Sequence, residues 1–375
     1  MRRALCLFLL PAFLVTAAAA QDRGEKKGDD KKSEAAAIRK ELKLAQKLLK
    51  ARRIDQGVAR LESVLEKFPE SSAAAGVRKT LRAYGVGDEV RVRLRERGIL
   101  RKRFKLTEKK LLDLEEKVLE ELRAHYRGVE PFFRERQLEL VLYDSQASFR
   151  KAGGAVTMTG HFRSTLTDTR KRRTRGKIEW HYPSWASSFT DRQTSMKSVL
   201  YHESTHYLNS VYFARLVPPV LDEGLAVYLT SRLNKTHYQY FRTTDRLLFE
   251  SHARHGLGAI AKYEDFLSFV GRDERGLGRG DASVNRWYGL CYAVVDLLAH
   301  GRVSRRKASL GELLEKFAKL VEKASKAEGG SETEPPPRRD SRDLLEELVR
   351  DLYDANLKQF HATLVQRIQR SYKPI

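Results

Sequence analysis

The five residues His202-Glu203-Ser204-Thr205-His206 constrain this chain more tightly than any other stretch. Histidines at i and i+4 differ by only about 40° around an α-helix, so a helix here sets both imidazoles on one side, one turn apart. The residue after the first histidine is rotated by about 100°, which puts Glu203 beside the pair but off their common line. Flanking residues support the helix: Thr194 or Ser195 can cap it, and Met196, Val199 and Leu200 supply a buried face. Ser204 and Thr205 fill slots to which this pattern is indifferent.

A third donor follows. Pro218-Pro219 opens a second helix, since proline suits a first helical turn where its missing N–H has no partner. The short Ala214–Val217 connection folds that helix back on the first, and the small residues Gly224 and Ala226 permit close helix approach. Glu223, 17 residues after His206, then faces the histidines. Two imidazoles, one carboxylate and an open position form the donor set of a catalytic zinc site. A metzincin would require glycine at 209 and histidine at 212, where Asn209 and Tyr212 stand. Thiolate zinc clusters are excluded as well, because the chain has only Cys6 and Cys291.

Cys6 lies in an N-terminal leader. Met1-Arg2-Arg3 is basic, Ala4 to Val15 is an apolar run, and Ala18-Ala19-Ala20 precedes Gln21. That is the layout of a secretory signal peptide over residues 1–20, and it predicts an exported, periplasmic or extracellular protein. An uncleaved anchor is the alternative, though the run falls short of the ~20 residues a spanning helix needs. No other segment is apolar enough to span, so the mature chain is expected to lack a transmembrane helix.

The formal charge of +23 favours anionic partners such as envelope polymers or acidic peptides, and export argues against a dedicated nucleic-acid role. The densest basic run, Arg170 to Lys177, reads as a solvated loop or as a determinant for acidic ligands.

Along the chain, residues 21–34 read as a charged spacer and residues 35–85 as helical. Leu42, Ala45, Leu48 and Leu49 form one stripe; Val58, Leu61, Val64, Leu65 and Phe68 form a second, ended by Pro69; Ala73 to Tyr84 is a third helix. Leu44, Ala45, Leu48, Gly57, Leu61 and Pro69 resemble the key positions of a tetratricopeptide repeat. Residues 86–375 form the main domain. Val86 to Phe104 reads as one or two strands, Thr107 to Tyr126 as an amphipathic helix, and Leu138–Tyr143, Thr157–Thr165 and Lys177–Tyr182 as strands. Beyond the H-E-x-x-H helix the pattern is helical throughout: Pro218–Arg232, Tyr263–Val270, Asn285–His300, Leu310–Lys323 and a long closing helix Leu344–Arg370, with a low-complexity loop at 325–343. The expected class is α+β, mostly helical, with a small mixed sheet before the H-E-x-x-H helix.

Pro219-Val220-Leu221-Asp222-Glu223-Gly224-Leu225-Ala226-Val227-Tyr228 resembles the W-L-x-E-G-x-A-x-Y segment of gluzincin zinc metallopeptidases. The order of leader, repeat-like helices, sheet and site is similar to an exported bacterial domain-of-unknown-function family of peptidase MA-like proteins. This resemblance implies zinc held by His202, His206 and Glu223, with Glu203 as general base. Val220 replaces the usual tryptophan, which bears on substrate preference and not on the metal. Tyr288-Gly289-Leu290-Cys291-Tyr292-Ala293-Val294-Val295 resembles the Y-x-x-x-[YW]-A-x-V segment of the same proteins. It makes Tyr288, and second to it Tyr292, candidates for stabilising the oxyanion. Asp222 is placed to orient a ligand histidine through its other N–H, or to lie at the surface.

The expected function is therefore an exported zinc metallopeptidase acting on peptide or protein substrates, acidic ones among them. The Lys177–Tyr182 strand would hold an extended peptide by edge pairing, and His161 and His181 would line the cleft or sit satisfied on the sheet. A non-catalytic envelope scaffold with a vestigial or structural zinc site is the alternative, against which a retained Glu203 counts. Zinc-dependent hydrolysis of something other than peptide also stays open.

Overall fold

The computed structural model describes residues 28–372 apart from 52, 70, 84–87, 96, 134, 155–158, 169–172, 184–187, 215, 240–241, 273–280 and 328–339. The leader, most of the spacer and Arg170–Arg172 of the basic run lie outside the described residues. The chain forms two compact units, Met1–Glu89 and Val90–Ile375.

The first unit is helical: α1 (Gly28–Lys50), α2 (Ile54–Lys67) and α3 (Ala74–Ala83). Ile38, Ala45, Leu49, Leu61, Val64, Val77 and Leu81 form its core. Helix α1 starts seven residues before the predicted boundary at 35. Lysine, glutamate and alanine are good helix formers, and a helix can extend beyond the stretch that has an apolar stripe to bury. Leu44, a repeat-like position, is exposed, while the neighbouring Ala45 is buried.

The second unit opens with β1 (Asp88–Leu94), α4 (Arg97–Phe104) and α5 (Glu108–Arg123). Of the one or two strands expected within 86–104, the described residues form one, Asp88–Leu94. Beyond it, Ile99 and Leu100 are consecutive and apolar, which breaks the alternation, and α4 buries Leu100 while exposing Ile99. Next come β2 (Glu135–Tyr143), α6 (Gln146–Lys151), β3 (Gly160–Asp168) and β4 (Arg173–His181). The four strands make one mixed sheet in the order β1-β2-β4-β3. β2 runs parallel to β4, with Leu140 opposite Ile178 and Leu142 opposite Trp180. β3 is antiparallel to β4. Leu138, Leu140, Leu142, Ile178 and Trp180 belong to the main core. β4 therefore lies inside the sheet, whose edge strands are β1 and β3. The predicted pairing edge at Lys177–Tyr182 is not an edge, because β4 pairs with β2 on one side and with β3 on the other.

Helix α7 (Phe189–Phe213) carries the H-E-x-x-H residues. Its cap is Ser188, whose hydroxyl accepts from the Asp191 N–H at 2.9 Å, not Thr194 or Ser195. Thr194 lies within the helix and donates to the Thr190 carbonyl. Ala214 ends α7 in a left-handed conformation (φ 48°), and α8 (Pro219–Leu233) follows with Pro219 in its first turn. Then come α9 (Asp245–Gly256), α10 (Tyr263–Val270) and α11 (Asp281–His300). α8 is buried almost all round, as befits a helix packed between others. A Cβ on Gly224 would sit 2.6 Å from the Cys291 carbonyl oxygen, so that glycine sets the closest approach of α8 to α11, not of α8 to α7.

The C-terminal part departs twice from the expected run of helices. A short hairpin, β5 (Arg302–Val303) with β6 (Arg306–Lys307), precedes α12 (Leu310–Ala327). The closing helix is two: α13 (Ser341–Tyr353) and α14 (Leu357–Ser371). Asp354 takes a left-handed conformation, and Asn356 and Gln359 form a reciprocal capping box that starts α14 afresh. Helix also extends into both ends of the loop predicted at 325–343. No helix among the described residues is long and apolar enough to cross a membrane.

Candidate metal centre

Helices α7 and α8 bring His202, His206 and Glu223 together as a group that could hold a metal ion. The two Nε2 atoms lie 3.2 Å apart. Glu223 Oε2 is 3.3 Å from His202 Nε2 and 3.4 Å from His206 Nε2. That oxygen is buried and accepts no hydrogen bond of good geometry. A carboxylate oxygen left without a partner, and aimed between two ring nitrogens, fits a cation among the three.

The charges of the group are coupled. Burial opposes the charged form of His206, but the Glu223 and Asp222 carboxylates outweigh it and raise its pKa well above the imidazole range. Burial would likewise raise the Glu223 carboxyl, but the charge of His206 and the close approach of both histidines hold it well below the usual carboxylate range. The two shifts have one origin, since an imidazole and a carboxylate in contact stabilise each other's charged forms.

Asp222 lies on the far side of His206. Its Oδ2 is 3.0 Å from His206 Nδ1, which fixes the proton there and leaves Nε2 for the metal group. Asn209 Nδ2 donates to Asp222 Oδ1 at 2.7 Å, and the Tyr126 hydroxyl donates to Asn209 Oδ1 at 2.6 Å. Asn209 and Tyr126 escaped the sequence reading. Asn209 leaves one trace there, a polar residue three after His206 amid buried apolar positions.

Glu203 is not among the ligands. Burial raises its carboxyl, opposed by the charges of His202 and His206 and by a hydrogen bond from the Phe162 backbone on β3. Ser204 and Thr205 turn out to be used. The Ser204 hydroxyl donates to the buried Glu115 on α5 at 2.6 Å, and Thr205 donates to the Tyr201 carbonyl at 2.7 Å. Burial pushes the Glu115 carboxyl up to about 8.

Tyr288, half-buried on α11, sets its ring edge-on to His202 with centroids 5.9 Å apart. Tyr292, one turn further, is not brought to the group. It is fully buried, and its ring packs on Tyr228, Phe249 and Tyr372. Helical spacing of about 400° over four residues does not guarantee a shared neighbour when α9 and α14 cover the second site. Cys291 is buried, and burial raises its thiol well above the ordinary range, which removes it as a nucleophile. His161 and His181 flank Phe149 on the opposite face of the sheet, at 5.3 and 5.7 Å between centroids, and line no part of the metal group.

No family model, no curated protein and no solved structure matches the chain.

Proposed function

We propose that this chain is an exported zinc metallopeptidase of gluzincin type, with His202, His206 and Glu223 as ligands and Glu203 as general base. One observation supports zinc as the metal. Zinc bound tetrahedrally at about 2.0–2.1 Å places its ligand atoms about 3.3–3.4 Å apart. The three separations here, 3.2, 3.3 and 3.4 Å, match the edges of such a tetrahedron. When bound there, zinc supplies Lewis-acid activation of water and of a scissile carbonyl.

The chain's own residues supply the rest. Asp222 orients His206, and Asn209 orients Asp222. Glu203, its carboxyl raised by burial toward the range where a base can return its proton, takes the proton of the attacking water and delivers it to the leaving nitrogen. Tyr288, beside His202, donates its hydroxyl to the carbonyl oxygen as charge develops on it. An extended peptide would pair along the edge strand β3, whose Phe162 backbone already reaches Glu203.

The test is zinc content by mass spectrometry on the purified chain together with cleavage of a broad peptide library. Near-stoichiometric zinc, lost in Glu223→Ala, with cleavage abolished and zinc retained in Glu203→Gln, is the expected result. Zinc retained in Glu223→Ala, or no peptide cleaved by the zinc-loaded chain, would overturn it.

A further inference from the structure

We infer that the β5–β6 hairpin docks this chain on an anionic bilayer by gripping the phosphates of its lipid headgroups.

The hairpin carries Arg302 on β5, Arg305 in the turn, and Arg306 and Lys307 on β6, all four exposed. Register sets Arg302 opposite Lys307, and like charges directly opposite each other destabilise a strand pair. No acidic residue occurs between Gly301 and Leu310. Among the described residues, the side chains of Arg302, Arg305 and Lys307 have no hydrogen-bond or ion-pair partner. Arg306 donates to the Asp351 backbone carbonyl at 3.4 Å, a neutral acceptor that leaves its charge uncompensated. The carboxylates around the base of the hairpin are used elsewhere or stay apart. Asp351 lies 3.9 Å from Lys316 and 3.8 Å from Arg350, and Glu312 accepts from the Ser309 N–H and hydroxyl. Asp354, which ends α13, pairs with none of the four cations. Val303 and Ala308 are buried in the main core and fix the base of the hairpin.

Two ordinary reasons for such charge fall short. Basic side chains on a strand edge block pairing with another chain, but strands of two residues have almost no ladder to protect. Cations for solubility are in surplus, since the chain carries a net +23 and more like charge only adds self-repulsion.

Three features favour a bilayer among polyanions. Three of the four cations are arginines, whose forks match phosphate oxygens. The cations sit on a turn and the residues flanking it, which suits contact with a flat surface, whereas a linear polyanion is held in a groove that tracks its backbone. No apolar side chain of the hairpin is exposed, so it rests among headgroups without entering the acyl layer. Such a contact is electrostatic and screened by salt.

The experiment measures flotation with vesicles of equal parts phosphatidylglycerol and phosphatidylcholine, against phosphatidylcholine alone. The full-length chain and the same chain starting at Gln21, which keeps every described residue, are both run, so that partitioning of the leader is separated from contact by the hairpin. The chain from Gln21 should bind the anionic vesicles and not the neutral ones, and high salt should release it. Near an anionic surface each cation contributes about fivefold, so Arg302→Gln, Arg305→Gln and Lys307→Gln together should weaken binding about a hundredfold. Thermal melts should stay unchanged, because these side chains have no bonds to lose. Lys102→Gln, Lys105→Gln and Lys109→Gln remove the same charge from exposed positions at the start of the same unit, and this variant should bind nearly as the wild type does. Equal losses in the two triple variants would mean that net charge alone acts, and would overturn the inference. So would no binding to the anionic vesicles, or equal binding to the neutral ones. Inorganic polyphosphate or an oligonucleotide that binds more tightly than the vesicles, and loses that binding in the hairpin variant, would overturn the choice of a bilayer.

Discussion

The Asp222 carboxylate meets His206 at Nδ1, 3.0 Å away, on the side of the ring opposite the metal group. Asn209 holds that carboxylate and Tyr126 holds Asn209, so a candidate ligand on α7 is oriented by a residue of α8 that a residue of α7 itself locks. Groups that orient a metal-binding histidine typically account for 10–100-fold in affinity. Asp222→Ala should therefore weaken zinc binding by about that factor, and Asn209→Ala by a smaller one. Competition against a chromophoric chelator reads both. Unchanged affinity in Asp222→Ala would show that the 3.0 Å contact does not orient the ring.

Gly224 follows the third ligand directly and lies against α11. A Cβ there would stand 2.6 Å from both the Cys291 carbonyl oxygen and Val295 Cγ2, closer than real Cβ contacts come. Gly224→Ala must push α8 away from α11 and carry Glu223 with it. Overpacking of this kind costs roughly 1–3 kcal/mol, and zinc affinity should fall together with thermal stability. Calorimetry with and without zinc separates the two. A variant as stable and as tight for zinc as the wild type would mean that α8 can shift without cost.

The His202-His206-Glu223 group was legible because its geometry is local: two residues one helical turn apart, then a carboxylate in the first turn and a half of a proline-started helix. What supports it was not. Tyr126 reaches Asn209 across 83 positions of sequence, a distance over which no periodicity speaks. Strand β3 became the edge because β2 pairs with β4 in parallel, and a run of alternating residues does not say which neighbour it takes. Helix α9 was missed because its burial contradicts its pattern: Leu247 is exposed while Asp245, Glu250 and Ser251 are buried. Asp245 is satisfied there by Asn234, Tyr238 and Ser198, a polar knot that hydrophobicity cannot announce.

Glu115 gives the fold a pH dependence. Burial raises its carboxyl from 4.5 to about 8, so between those values the folded chain holds a proton that the unfolded chain has released. Stability must then fall as pH rises through that window, and the loss is complete only above the folded value. Glu115→Gln keeps an acceptor for the Ser204 hydroxyl and removes the titration. The variant should be more stable than the wild type at pH 8, by roughly a few kcal/mol, and nearly equal to it at pH 4.5. Urea unfolding at the two pH values measures the difference. Parallel stability curves for wild type and variant would place the proton elsewhere.

Tyr288 and Tyr292 provide a paired test of the oxyanion assignment, since they share a helix and differ in what surrounds them. The Tyr288 ring stands 5.9 Å from that of His202. The Tyr292 hydroxyl is buried without a hydrogen-bond partner among core rings. Removing a donor that acts only on the developing oxyanion lowers kcat by about 10²–10³-fold and leaves KM nearly unchanged. Tyr288→Phe should show that pattern, with zinc content intact. Tyr292→Phe deletes a buried hydroxyl that has no partner to lose, so activity should persist and stability should hold or rise. Steady-state kinetics on one cleaved library peptide, with thermal melts of both variants, decides between them: a kcat loss in Tyr292→Phe and none in Tyr288→Phe would reverse the assignment.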